Sequence, residues 1–148
     1  MDLMQKGYIP VVSSLGCDKD GNVYNINADT AASKIAQALH AQRLILMTNI
    51  QGLMKDKDDP DSLIPLLDVE QTEGLIRSGI ISGGMIPKIE CCISALRNNV
   101  SKAIIMDGRI PHSVLMELFT DSGAGTMIVK KKKAEKSKTA EEKKEFKL

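Results

Sequence analysis

The sequence predicts an α/β fold, a three-layer αβα sandwich around a mainly parallel sheet. Short continuous apolar runs of strand length alternate along the chain with segments whose apolar residues recur at helical spacing. The composition is 43% hydrophobic but only 3% aromatic, with no Trp, so the core must be aliphatic. Polar and glycine-rich stretches follow several of the apolar runs, which is where open α/β sheets place ligands.

In chain order, residues 5–7 end a helical turn, and residues 8–12, YIPVV, read as a strand. Asp20 and Gly21 lie in a dense turn signal that suits a tight hairpin. From 28 to 40, Ala28, Ala31, Ala32, Ile35, Ala36 and Leu39 recur as on one helix face, with Asn27 placed to cap it. Residues 44–47, LILM, read as a buried parallel strand. An acidic loop occupies 55–62. Asp68 then opens a helix with Gln71 as capping partner, and Gly79 stops it. The longest helical pattern sets Met85, Ile89, Cys92, Ile93 and Leu96 on one stripe, with Pro87 tolerated in its first turn. Strands are expected at 103–106 and 126–129, separated by a short helix over 111–119.

The chain of 148 residues is of single-domain size. No run approaches the ~18 apolar residues of a membrane span, and the first residues lack the pattern of a signal peptide, so a cytoplasmic address is expected. Cys17, Cys91 and Cys92 are too few and wrongly spaced for a framework of disulfides. Residues 1–129 hold 11 Lys or Arg against 15 Asp or Glu, whereas 130–148 hold 9 Lys against 4 Glu. The expected organisation is therefore an acidic body over 1–129 and a Lys-rich tail over 130–148, disordered or marginally helical, which reads as a solvated terminus rather than a nucleic-acid contact.

Three polar clusters are candidates for chemistry. In an extended strand Asn25 and Asn27 share a face, and Asp29 follows in the first helical turn. Capping and the helix dipole account for Asn27 and Asp29 but leave Asn25 unexplained. Ser82, Gly83 and Gly84 precede a helix that has Lys88 in its first turns. Paired glycines, helix amides and an ammonium suit phosphate, although Gly-Gly before a helix is more often only a turn. The third cluster runs from Gly108 and His112 through Glu117 to Gly123, Gly125 and Thr126. Ser122 lacks the strand-turn-helix elbow of a serine hydrolase, and His40, His112 and the cysteines lack metal-ligand spacing.

The segments YNINADTAA, LILMTNIQGL, GIISGGMIPK and DGRIPHSVLMELFTDSGAGTMI together resemble the C-terminal half of the N-acetylglutamate kinases, members of the amino acid kinase family. The resemblance covers about residues 3–129. It implies ATP-dependent phosphorylation of the γ-carboxylate of N-acetyl-L-glutamate, a step of arginine synthesis. It implies catalytic roles for Lys88, which would stabilise the phosphoryl group in flight, and for Asp29, which would orient lysine. Asn25 and Asn27 would bind the amino acid substrate. Nucleotide contacts would come from Thr48, Asn49, Gly52, Leu53 and Met54 and from Ile80, Ile81 and Ser82, with Mg²⁺ bridging phosphates. His112, Glu117, Gly123 and Gly125 resemble the arginine site of feedback-inhibited members. Asn49 departs from the pattern, since the family usually has Asp there. The resemblance further implies an N-terminal half with a second lysine and most of the amino acid pocket, and the partners expected are a separate N-terminal half or a homo-oligomer. The competing reading is a non-catalytic ATP- or arginine-binding regulatory module acting through a partner.

Overall fold

The structure, a computed structural model, describes residues 1–121 and 123–130. A one-turn helix α1 (Asp2–Gln5) is followed by an antiparallel hairpin of β1 (Leu15–Cys17) and β2 (Val23–Asn25). Then come α2 (Ala28–Ala38), β3 (Arg43–Thr48) and β4 (Leu66–Asp68), with α3 (Thr72–Arg77) entered through a 3₁₀ turn. Helix α4 (Met85–Arg97), β5 (Lys102–Asp107), α5 (Ser113–Phe119) and β6 (Gly125–Val129) complete the order.

Four strands form one sheet in the order β3, β5, β6, β4. Pairings β3 with β5 and β4 with β6 are parallel, while β6 runs antiparallel to β5. The expected α/β class holds, with one reversed junction that the pattern of apolar runs did not indicate. The register sets Leu44 opposite Ala103 and Leu46 opposite Ile105. These four residues, with Leu67 and Ile128, form one buried face against Ala36 of α2 and Ile89, Cys92, Ala95 and Leu96 of α4. On the other face Ile104 and Met106 are buried in the middle, while Met47 and Leu66 at the two edges are 53% and 58% exposed. Helical cover of that second face is therefore less complete than a symmetrical three-layer sandwich implies.

The hairpin forms where Asp20 and Gly21 predict it, organised by Asp18. Its carboxylate accepts from the backbone of Asp20 and Asn22, the side chain of Asn22 and the hydroxyl of Tyr24. These bonds, that from the Asn22 side chain foremost, hold the Asp18 carboxyl down to about 2. At α2, Asn27 Oδ1 accepts from Thr30 N at 3.0 Å, as a cap should. At 68–71, Asp68 accepts from Glu70 N and Gln71 Oε1 accepts from Asp68 N, giving the expected reciprocal cap.

Three expectations change. Residues 8–12 join no sheet; Ile9 and Val11 are almost fully exposed, so their β-prone composition has no partner among the described residues to pair with. Strand β4 was not foreseen, because its three residues Leu66, Leu67 and Asp68 are too few to register as a run. The packed side of α2 runs through Ala32, Ser33 and Ala36 rather than Ile35, which is exposed. Ser33 donates to the Cys91 carbonyl at 2.9 Å and accepts from Gln37, which also donates to Ser94, so small and polar residues let α2 approach α4. The expected Lys-rich tail lies outside the described residues beyond Lys130.

One buried hydroxyl ties the loop after β3 to the sheet. Thr126 of β6 is fully buried; its Oγ1 accepts from Leu53 N at 2.8 Å and donates to the Ile64 carbonyl at 2.8 Å. Gly52 must stay small here, since a Cβ would stand 2.6 Å from Thr126 Oγ1 and 2.8 Å from Leu63 Cδ1. Thr126→Val keeps the shape but strands the Leu53 amide and the Ile64 carbonyl, so thermal unfolding should show a loss of about 1–3 kcal/mol, with Thr126→Ser losing clearly less. Equal stability of the valine variant and the parent would contradict the anchor.

Candidate functional site

The C-terminal ends of β3 and β5 open toward the start of α4, the arrangement in which α/β sheets form ligand crevices. After β3, Thr48 Oγ1 accepts from Ile50 N at 3.0 Å and donates to the Ile50 carbonyl, tightening the turn out of the strand. Beyond it the chain passes Gly52 and is pinned at Leu53 by Thr126. On the opposite side, Ile81 N donates to the Leu75 carbonyl, Gly83 takes a left-handed φ of 55°, and α4 begins after Gly84 with no side-chain cap. The amides of Met85 and Ile86 donate to the Ser82 and Gly83 carbonyls and Pro87 has none, so what this helix start offers an anion is the positive end of its dipole.

Between these walls lies a cavity of about 440 Å³. Asn49, Gly52, Leu53 and Met54 line one side, and Ile80, Ser82, Gly84 and Lys88 the other. Six of the eight residues expected at a nucleotide are thus brought together. The other two stand apart: Thr48 shapes the turn, and Ile81 is 1% exposed within the hydrophobic core. Alternation explains Ile81, because its neighbours Ile80 and Ser82 face the cavity while it faces the sheet.

Lys88 extends from the first turn and a half of α4 and donates to Asp29 Oδ2 at 2.7 Å. Their side chains are 27% and 25% exposed, in a position where a charge is neither fully hydrated nor sealed from water. Asp29 lies in the first turn of α2, two residues after the Asn27 cap, so capping geometry aims the carboxylate. The hairpin ends at Asn25, three residues before α2 begins. Asn25 closes β2 opposite Leu15 and is exposed, as is Asn27. Asn27 is occupied by Thr30, whose amide and hydroxyl both donate to it, whereas Asn25 is left presenting its amide.

Cys91, one turn beyond Lys88, lies 3.9 Å from Thr30 Oγ1, and the adjacent Cys92 is fully buried. Burial, then the neighbouring Cys91 and Asp29, push the Cys92 thiol up to about 12, which makes it a packing group rather than a nucleophile. At the end of β5, Asp107 accepts from Arg109 N, Nε and Nη2. The Arg109 side chain and then its backbone hold that carboxyl down to about 2, and the guanidinium is raised in turn. Sequence reading did not single out Asp107 as an organiser; an Asp followed two residues later by Arg is a common turn arrangement.

The third cluster forms a separate cavity of about 250 Å³, lined by Pro65, Leu66, Glu117, Asp121, Gly123 and Gly125 among others. Glu117 is 8% exposed and accepts from Ala124 N at 2.8 Å. Gly123, at φ 66°, leaves no room for a Cβ beside that carboxylate, and a Cβ on Gly125 would run into the Ile105 carbonyl. His112 stands outside this lining, exposed, in a left-handed conformation before α5. Alternation along β6 sends Thr126 toward the first cavity's loop, and Gly125 and Met127 toward the second.

Sequence reading put Thr126 in the third cluster, away from the role it plays, and passed over Lys57. Thr126 anchors the loop from a strand 73 residues away, a contact that no local pattern announces. Lys57, inside the acidic loop, reaches the rim of the first cavity and donates to Ser82 Oγ at 3.1 Å; its neighbours Asp56, Asp58 and Asp59 make that loop read as solvated surface.

Comparison with known proteins agrees with this architecture. The chain is 57% identical over 123 residues to the acetylglutamate kinase of Brachyspira hyodysenteriae, covering 83% of this chain and 43% of that protein. It is 54% identical over 127 residues to that of Synechococcus elongatus, covering 86% and 42%. The chain therefore spans less than half the length of these curated relatives. Among solved structures, N-acetylglutamate synthase from Neisseria gonorrhoeae, complexed with coenzyme A and L-arginine, superposes with a TM-score of 0.78 at 27% identity, covering 88% of this chain and 30% of that one. The amino acid kinase family profile matches residues 1–107, a stretch that holds the hairpin, the pair of Lys88 with Asp29 and the whole cavity wall, and the chain belongs to that family.

Proposed function

We propose that these residues form the nucleotide-binding half of an acetylglutamate kinase, transferring a phosphoryl group from ATP to the γ-carboxylate of N-acetyl-L-glutamate. The observation that carries the reading is Lys88, held by Asp29 at the wall of a cavity whose far side is the loop after β3. Supporting it, the relatives at 57% and 54% identity are acetylglutamate kinases.

Phosphoryl transfer leaves little covalent work to the protein and is governed by positioning and neutralisation of charge. The cavity's apolar residues, Leu53, Met54 and Ile80, suit a base, and the positive end of the α4 dipole with Lys88 suits phosphates. Asp29 keeps the Lys88 ammonium from wandering into solvent and sets its direction. Asn25, free of capping duty, is assigned to the amino acid substrate. Among the described residues no group of three or more His, Cys, Asp or Glu could hold a metal, and the cavity wall presents lysines rather than carboxylates. Mg²⁺ accordingly fits as a companion of the nucleotide's phosphates, which would supply its ligands and share their charge.

The relatives are more than twice as long as the matched segment, so the remaining wall of the site is assigned to their other half. Acetylglutamate-dependent ADP release should be negligible with this chain alone and appear when the amino-terminal half of a related kinase is supplied. In that mixture Lys88→Ala should lower turnover by at least ~100-fold. Asp29→Asn should lower kcat with little change in nucleotide KM, while moving stability by no more than about 1 kcal/mol. Full turnover by Lys88→Ala would refute the assignment; nucleotide binding without turnover in any mixture would instead favour a binding module acting through a partner.

We also assign the cavity around Glu117 to an arginine-like effector. A buried carboxylate flanked by glycines offers an acceptor to a guanidinium or α-ammonium group. The resemblance to a synthase solved with L-arginine favours the same ligand. Calorimetry with L-arginine should give heat that Glu117→Gln abolishes or greatly weakens; no heat and no thermal shift at millimolar arginine would rule this site out.

A further inference from the structure

We propose that Lys57 is a nucleotide-binding residue whose ammonium, bonded to Ser82 in this structure, moves to a phosphate oxygen when nucleotide enters. This rests on the nucleotide reading of the cavity and adds to it a second cation, on the wall opposite Lys88.

The first observation is placement. Lys57 lines the 440 Å³ cavity and also the neighbouring depression of about 380 Å³, and both share Met54 and Ile80. Its side chain therefore forms the partition between them, and its contact with Ser82 closes the rim. The second is its unspent charge. Ion pairs among the described residues join Arg77 to Glu73, Lys88 to Asp29 and Arg109 to Asp107; Lys57 takes part in none and has only a neutral hydroxyl as partner. None of its acidic neighbours lines the 440 Å³ cavity, while Asp56 and Asp58 border the 380 Å³ depression on the other side of Lys57. Asp56 Oδ1 accepts from Asp58 N and Asp59 Oδ1 from Asp61 N.

The third observation is that the loop holds Lys57 in place. Ser62 Oγ donates to the carbonyls of Asp56 and Asp59 and accepts from Asp56 N, and Met54 bridges to Leu63 across the loop's base. A lysine on a braced loop, facing a cavity whose lining includes no carboxylate, raises the local positive potential where a polyphosphate would lie. An ammonium bonded to a neutral hydroxyl gains by exchanging it for an anionic oxygen, since charge-assisted bonds of this kind are about twice as strong.

The test is calorimetric titration of the 148-residue chain with ATP, ADP and adenosine. Wild type should bind ATP and ADP more tightly than adenosine. Lys57→Ala should weaken ATP and ADP by about tenfold, leave adenosine unchanged and flatten the salt dependence of ATP binding. Lys57→Arg should recover most of the loss. Lys55→Ala, two residues away and outside the cavity lining, should behave as wild type. Unchanged ATP affinity in Lys57→Ala, or equal losses for ATP and adenosine, overturns the inference while leaving the cavity a nucleotide site. Absence of ATP binding by the folded wild-type chain overturns the nucleotide reading and this inference together.

Discussion

The seat of α4 on the sheet is the constraint on which the site depends. Ile89, Cys92, Ala95 and Leu96 recur at three- and four-residue spacing and are almost wholly buried against β3, β5 and β6. Burying four such side chains contributes several kcal/mol, on the order of 1.5–3 for each large one, so the helix cannot slide without losing its main stabilisation. Fixing that stripe fixes the opposite end of the helix as well. Gly84, Met85 and Lys88 then stand at the cavity, where the loop after β3 faces them. The ion pair with Asp29 is a consequence, because α2 packs on α4 through small residues and brings its first turn level with Lys88.

Strand β6 links the two cavities. Its antiparallel run beside β5 puts Thr126 under the loop after β3, while Gly125 and Met127 face the cavity around Glu117. Residues one step apart thus belong to opposite faces, one bracing the loop after β3 and the other bordering a buried carboxylate. A shift of β6 along β5 would disturb both the loop after β3 and the cavity around Glu117.

Much of this was legible in the sequence because it rests on local chemistry. Asn27 caps, Asp68 with Gln71 forms a reciprocal cap, and the α4 stripe recurs at helical period; each is a short-range rule that the structure satisfies. The convergence of residues 49, 52–54, 80, 82 and 88 was anticipated through resemblance, since spacing alone left the Gly83 and Gly84 turn ambiguous. What stayed hidden was long-range or disguised. Thr126 read as the end of the third cluster and the start of a strand rather than as an anchor for a distant loop, the direction of β6 has no local signature, and Lys57 was masked by the carboxylates around it. Ile81 shows the reverse case, a residue inside a correct motif whose own side chain faces the core.

The cavity between the loop after β3 and the start of α4 is proposed to receive the nucleotide with its phosphates at Lys88. A crystal structure of this chain with a non-hydrolysable ATP analogue tests it most directly. The analogue should lie in that cavity, its base against Leu53, Met54 or Ile80 and a phosphate oxygen within hydrogen-bond distance of Lys88 Nζ. An analogue bound elsewhere, or bound here with its phosphates pointing away from Lys88, would refute the assignment.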